Sequence, residues 1–336
     1  RQHEDLYYSH IDSAGEFQEA MPIDELNTPL NEGTHSLSPN GQILVFSASD
    51  RRDSYGGFDL YISFKKDGQW GKAHNMGAGI NSRFKDTQPC IAQNNRTIYF
   101  SSHRKGGYGG ADIWRIDINE DNSWSEPTNL GPEINTRGNE ESPFLHPDNK
   151  TLYFRSNGHI GMGDFDIYMS KQKSHNTWDT VTNLGYPINT KGSEGALFVT
   201  LDGRKAYYAT DASTGKNLDI HYFDLPEALM PDPVSYLKIQ VTDAISGLDL
   251  SAQIELKELS DNKKSIYLRT NTRGQVLSPV EIGEYALTIE RKGYLFHSEY
   301  ILVDLVRTAN KPLVYNVSLI PIPDTSEIGE SNKQAI

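Results

Sequence analysis

Four acids recur along this sequence at nearly regular intervals: Glu32, Asp86, Glu140 and Glu194. Each stands five residues after an asparagine, and those asparagines, Asn27, Asn81, Asn135 and Asn189, are spaced 54 residues apart. If the repeats close into a ring, equivalent groups converge on its axis. Four carboxylates there could hold a cation, or two of them could serve as the acid and base of glycoside cleavage, which needs separations of about 5–10 Å. The plainer expectation is structural, because a group present in every repeat serves something every repeat needs, whereas catalytic groups occupy unique positions. A second series, Asp59, Asp112, Asp166 and Asp219, closes glycine-rich loops. A short acceptor there is expected to tie down free loop amides in an Asx-type turn. Both series are therefore read as structural, and no residue is assigned as catalytic.

Other chemistry is thin. Asp50, Asp53 and Asp59 in DRRDSYGGFD loosely suggest a calcium loop, but the acid spacing of an EF-hand is absent. Calcium is the one cofactor these acids suggest, and none is expected. The ten histidines form no HExxH spacing and no Gly-x-Ser-x-Gly elbow occurs. GGYGG and GHIGMGD precede no helix that could offer its N-terminus to a phosphate. The single cysteine, Cys90, lies in an apolar stretch, QPCIA, and reads as a small buried residue.

The differences between repeats say more than the common features. Arg51, Arg52 and Tyr55, then His103, Arg104, Lys105 and Tyr108, then His159 and Met162 occupy one long variable loop in successive copies. Arg, Tyr and His are types that anchor interfaces, so this set is where a partner is expected.

These residues need a repeating frame. Trp70, Trp124 and Trp178 keep the same step, with Phe17 in the corresponding place of a partial first copy that includes Asp5. Alternating apolar runs such as ILVFSAS and TLYFRS are broken by turn sequences, which is the pattern of antiparallel hairpins. Periods of about 40–50 residues point to propeller blades. The reading is an all-β chain: a β-propeller of four-stranded, 54-residue blades over 1–232, a small β-sandwich over 233–320, and a polar linker over 321–336. The first copy lacks its first strands and the fourth lacks its Trp strand, so a parent with five or six blades is expected, of which this chain is a piece.

A net charge of −13 argues against nucleic acid or an anionic membrane as partner. No apolar run reaches the ~18 residues of a membrane span, so the chain is expected to be soluble.

The blade string, an acid before the first strand, then Pro-Asp-Asn or Pro-Asn-Gly, Tyr-Phe-x-Ser and Gly-Gly-x-Asp-Ile-Trp, resembles the TolB-type, WD-like propeller repeat. The closing Asn-Leu-Gly-x-x-Ile-Asn is similar to the version in Bacteroidetes envelope proteins. Val241-Thr242-Asp243, Gly283-Glu284-Tyr285 and Lys292-Gly293-Tyr294 resemble a carboxypeptidase regulatory-like, transthyretin-like domain. In this order the two resemble the middle of OmpA-family proteins, including a component of type IX secretion. The resemblance implies a periplasmic, outer-membrane-associated, non-catalytic scaffold that is not an enzyme. Its implied partner is an outer-membrane β-barrel or secretion-apparatus protein, with peptidoglycan reached only through a domain not in this sequence. The alternatives are a glycan-binding module and a propeller glycoside hydrolase using ring carboxylates.

Overall fold

The computed structural model describes residues 3–10, 12, 16–38, 41–66, 68–119, 123–174, 177–210, 219–259, 265–308 and 311–323. The chain divides into two compact units, Arg1–Val234 and Ser235–Ile336. Among the described residues no helix is long and apolar enough to cross a membrane.

The first unit is a β-propeller whose blades follow the 54-residue step. Blade one pairs Asn31–Leu37, Ile43–Ser49 and Asp59–Lys66 in order. Blade two pairs Asp86–Ile91, Thr97–Ser102 and Asp112–Asp117, and blade three Glu140–Leu145, Thr151–Ser156 and Asp166–Ser174. Glu194–Val199, Lys205–Thr210 and Asp219–Asp224 form a three-stranded fourth blade.

The middle strands are buried along nearly their whole length, because each blade is covered on both faces. Alternate side chains then face different neighbours. In blade two, Ile98 and Phe100 pack with Val45 and Leu60 of blade one, while Tyr99 packs with Leu145 and Phe154 of blade three. Tyr153 of blade three joins Leu197 and Val199 of blade four.

Two features depart from the regular four-stranded expectation. The outer strand is split: in blade one Trp70 pairs with Lys65 and Asn75 with Tyr61, one residue out of step, and blade three does the same with Trp178 and Asn183. An extra residue leaves two short pieces where one strand was expected. Every first strand also carries a bulge just after its acid. Gln88 and Ser142 there have φ of 53° and 51°. Their freed amides cross to the preceding blade, Gln88 N–H to Thr34 Oγ1 at 2.9 Å and Ser142 N–H to Gln88 Oε1 at 3.0 Å.

In place of a Trp strand after blade four comes the short helix Glu227–Leu229. Leu225 and Leu229 pack on blade three, and Tyr153 Oη donates to the Leu229 carbonyl at 2.7 Å.

The second unit has two sheets around one core. One orders Gln275–Glu281, Val234–Asp243 and Leu313–Leu319; the other orders Ser265–Arg269, Gln253–Glu258, Gly283–Glu290 and His297–Val303. Leu237, Ile239, Val241, Leu256, Leu287 and Ile289 fill the space between. The linker expected from residue 321 starts later. Tyr294 bridges Pro321, and Ile322 N–H donates to the Gly293 carbonyl at 2.9 Å, so this stretch belongs to the fold. Residues 324–336 of that linker lie outside the described residues.

Candidate functional site

The recurring chemistry gathers along one edge of the blades. In blade three, Glu140 opens the first strand, Ser156 ends the second and Asp166 opens the third, and the three are paired across the sheet. The loop between second and third strands rises from this edge. Asn135 clasps the third strand of blade two, taking the Ile113 N–H at 2.8 Å and donating to the Ile113 carbonyl at 3.0 Å and to Asn129 at 2.8 Å. Asn81 and Asn189 repeat these bonds on Leu60 and Ile167, and Asn27 clasps Leu6 in the same way.

The four acids are buried and do not line an open channel. Asp86 accepts from Ser82 N–H at 2.6 Å, Ser82 Oγ at 2.8 Å, Ser102 Oγ at 2.5 Å and Arg104 Nη2 at 2.7 Å. Glu32 is held by Thr28 and by Arg51 at 2.7 Å. Glu140 is held by Thr136 at 2.7 and 2.6 Å and by Ser156 at 2.7 Å. The Asn-Thr or Asn-Ser pair that begins each repeat therefore supplies both the clasp on one strand and the donors to the acid four residues on. That pairing is visible in the sequence, but its purpose is not.

Arg51 and Arg104 are not free for a partner, contrary to expectation. Each is committed to its own blade's acid and to a main-chain carbonyl, Leu26 or Ile80, with only 12% and 13% of the side chain exposed. Each guanidinium also lies over a pair of rings: Arg51 over Phe46 and Tyr61 at 5.2 and 4.7 Å, Arg104 over Phe100 and Trp114 at 5.0 and 5.2 Å. His159 takes the same slot in blade three, against Phe154 and Tyr168, with Nε2 2.8 Å from the Ile134 carbonyl. The remaining loop residues, Arg52, Tyr55, His103, Lys105, Tyr108 and Met162, are exposed.

The second acid series turns its carboxylates back onto this loop. Tyr55 N–H meets Asp59, Tyr108 N–H meets Asp112 and Met162 N–H meets Asp166, each at 2.6 Å. Gly56, Gly109 and Gly163 follow, and a Cβ on Gly109 would come within 2.2 Å of the Gly138 carbonyl of the next blade. The loops thus press against the neighbouring blade with no room for a side chain there. The side chain of Asp219 lies outside the described residues. Asp50 and Asp53 do not join Asp59 in a cation site: Asp53 accepts from Tyr61 Oη and Asp50 from Ser49 Oγ. Among the described residues no group of three or more His, Cys, Asp or Glu could hold a metal. Cys90 is buried, its Sγ accepts the Leu145 N–H, and burial pushes the thiol up to about 11.

The repeat breaks at the seam of blades three and four. Glu194 N–H donates to the Phe165 carbonyl at 2.8 Å, which sets Glu194 beside Asp166. Glu194 Oε1 is held by Thr190, but among the described residues Oε2 has no hydrogen-bond partner, and neither has Asp166 Oδ1. In blades one and two an asparagine amide reaches the loop acid, Asn75 to Asp59 at 2.8 Å and Asn129 to Asp112 at 2.9 Å; its blade-three equivalent, Asn183, instead donates to the Ile160 carbonyl. Burial raises the pKa of Glu194 above the usual carboxylate value and the Asp166 charge adds to it, against the Thr190 hydrogen bonds that lower it.

No protein-family model and no curated protein matches this chain. Solved structures do. An α-L-arabinofuranosidase from Fusarium graminearum matches at 10% identity over 76% of this chain and 96% of its own, with a TM-score of 0.42. An α-L-arabinanase from Penicillium chrysogenum, complexed with arabinobiose, matches at 12% identity over 90% and 83%, TM-score 0.40. An α-L-arabinofuranosidase from Lactobacillus brevis matches at 13% over 55% and 69%, TM-score 0.39. The expectation of a non-catalytic scaffold with no enzyme activity is corrected by these matches, which are propeller glycoside hydrolases and agree with the alternative. At such identities and TM-scores, no neighbour's residue roles pass to this chain.

Proposed function

We propose that the propeller is a carbohydrate-active module that holds a glycan across its loop-bearing edge. The observation that carries this reading is the repeated, exposed side chain at one loop position: Tyr55 at 53%, Tyr108 at 50% and Met162 at 55%. Each is fixed through its own N–H by a buried aspartate. A tyrosine ring offers broad amphipathic contact with few rotatable bonds, and a pinned backbone lowers the ordering cost of binding further. Phe84, 41% exposed, follows in the Asn-Thr-type turn of blade two, against which Gly56 of the same loop edge packs.

The test is a thermal-shift and calorimetric screen of the full chain against neutral oligosaccharides, arabinobiose included. Ligand binding raises the melting temperature in proportion to occupancy. A binding sugar whose effect disappears in the Tyr55→Ala, Tyr108→Ala double variant supports the reading, and a screen without a hit removes it.

A hydrolytic reading rests on a different observation, the Glu194–Asp166 seam. Two carboxylates side by side, one with a raised pKa, are the arrangement from which a glycosidase draws its acid and its charged partner. Release of reducing sugar that Glu194→Gln abolishes, with the melting temperature retained, supports it; equal release by the variant excludes Glu194.

A ring of five or six blades, a transthyretin-like second unit and membership of the TolB-type and OmpA-type envelope families accompany this reading as proposals. A periplasmic, outer-membrane-associated location rests on the same resemblance. Localisation of the tagged protein by envelope fractionation tests it.

A further inference from the structure

The second unit carries a cleft of about 730 Å³ with its own chemistry. In the four-stranded sheet, Gln253 pairs with Arg269 on one side and Glu290 on the other. Directly paired residues leave a sheet on the same face. The next residues along, Ile254, Leu268 and Ile289, are buried in the core, so Arg269, Gln253 and Glu290 form a row on the outer face, where all three are exposed. The turn that follows Glu290 adds Arg291, Lys292, Tyr294 and Phe296 to the lining.

Part of this lining is fixed and part is free. Tyr294 Oη donates to Asp243 at 2.7 Å, and the Arg291 guanidinium lies 5.4 Å from the centre of the Tyr294 ring while Nη1 donates to the Ser251 carbonyl at 2.9 Å. The backbone of this turn is held by the Pro321–Ile322 stretch. Phe296 leaves 71% of its surface to solvent. Among the described residues none of Arg269, Arg291 and Lys292 has an ion-pair partner. Three cations therefore face one acid, in a chain whose net charge is −13.

We propose that this cleft binds an acidic oligosaccharide, with a uronate carboxylate on Arg269 and Lys292 and a sugar ring against Phe296. Guanidinium and carboxylate match in geometry and charge. Gln253 and Glu290 supply a donor and acceptors for hydroxyls beside the cations. Glu290 also disfavours a ligand with charge at every contact, such as a polyphosphate or a run of acidic residues. The cleft volume falls within the roughly 300–1,000 Å³ of ligand pockets. The site lies wholly in the second unit and stands independent of the propeller reading.

The experiment is calorimetry on the full chain with trigalacturonate, its methyl-esterified form and hexaglutamate. Trigalacturonate is expected to bind, with affinity falling as salt is raised, and the methyl ester at least tenfold more weakly. Arg269→Gln, Lys292→Gln and Phe296→Ala are each expected to lower affinity on the order of tenfold without moving the melting temperature, since all three side chains are exposed. Tyr108→Ala leaves this binding unchanged, which separates the cleft from the propeller edge. Equal binding of the ester, equal binding of hexaglutamate, or no heat with trigalacturonate at millimolar concentration overturns the proposal.

Discussion

In blades one and two the buried acid that opens the first strand meets an arginine, at 2.7 Å in both cases. At the seam of blades three and four, Glu194 and Asp166 each keep an oxygen with no hydrogen-bond partner among the described residues. The same position in the repeat thus exists in two electrostatic states. Where the arginine is present, it neutralises the acid, covers two neighbouring aromatic rings and ties down a neighbouring carbonyl. In blade three its place is taken by His159, which bonds the carbonyl and leaves the acid to Thr136 and Ser156. A buried carboxylate such as Asp86, with a cation among its four donors, is spent on structure. One with an unfilled oxygen beside another acid keeps the capacity to take up a proton.

The comparison breaks most severely if an arginine is removed. Arg104→Met leaves Asp86 buried beside Ser82 and Ser102 with its cation gone, and stranding a buried charge costs about 3–5 kcal/mol. Urea unfolding should register that loss, and Asp86→Asn in the Arg104→Met background should recover part of it, because the two residues share one interaction. Asn135→Ala should follow at about 1–3 kcal/mol, since it leaves the Ile113 N–H buried and unpaired while the Ile113 carbonyl keeps the Leu130 N–H. If Arg104→Met unfolds at the wild-type urea concentration, the arginines are ornamental and the two kinds of blade are electrostatically alike.

Much of this frame is legible in the sequence. The step from Asn27 to Asn189 marks the blades, and the runs ILVFSAS and TLYFRS are the strands Ile43–Ser49 and Thr151–Ser156. Periodicity reports which residues share an environment, so it serves repeated elements well. It could not report that Arg51 and Arg104 fold back onto their own blades. A long basic side chain on a variable loop reads as exposed, and only the aromatic pair beneath it, Phe46 with Tyr61 or Phe100 with Trp114, shows otherwise. Those rings come from two different strands. The bulge after each acid was hidden too, because Thr34, Gln88 and Ser142 share a step but no residue type. The cleft of the second unit was equally out of reach: Arg269, Gln253 and Glu290 meet only through strand pairing.

Glu194 sharpens the comparison through pH. Its pKa in the folded protein is raised, chiefly by burial and then by Asp166. Between the unfolded value and this higher folded value the folded state holds the proton more tightly, so stability falls as pH rises through that window. The cost is complete above the folded pKa and absent below the unfolded one. Glu194→Gln should remove this slope and raise stability at neutral pH. Arg-capped Glu32 supplies the contrast, since Glu32→Gln discards an ion pair with Arg51 and should destabilise. Thermal unfolding of both variants between pH 4 and 8 measures the difference, and the same sign for both would erase it.

Tyr108→Ala should change stability least, within about 0.5 kcal/mol, because half of the side chain is in solvent and the loop is held by other atoms. Asp112 grips the Tyr108 N–H, a bond that alanine keeps, and Gly109 still packs on the next blade. The ring can therefore be removed without moving the backbone that presents it. Asp112→Ala does the reverse: it keeps the ring but frees the Tyr108 and Gly109 amides and the Asn129 Nδ2. If the edge binds a glycan, Tyr108→Ala should abolish affinity at unchanged melting temperature, whereas Asp112→Ala should weaken both together. Equal loss of affinity and stability in the two variants would make the tyrosine part of the loop's own packing, and the exposed row along this edge would lose its standing as a binding surface.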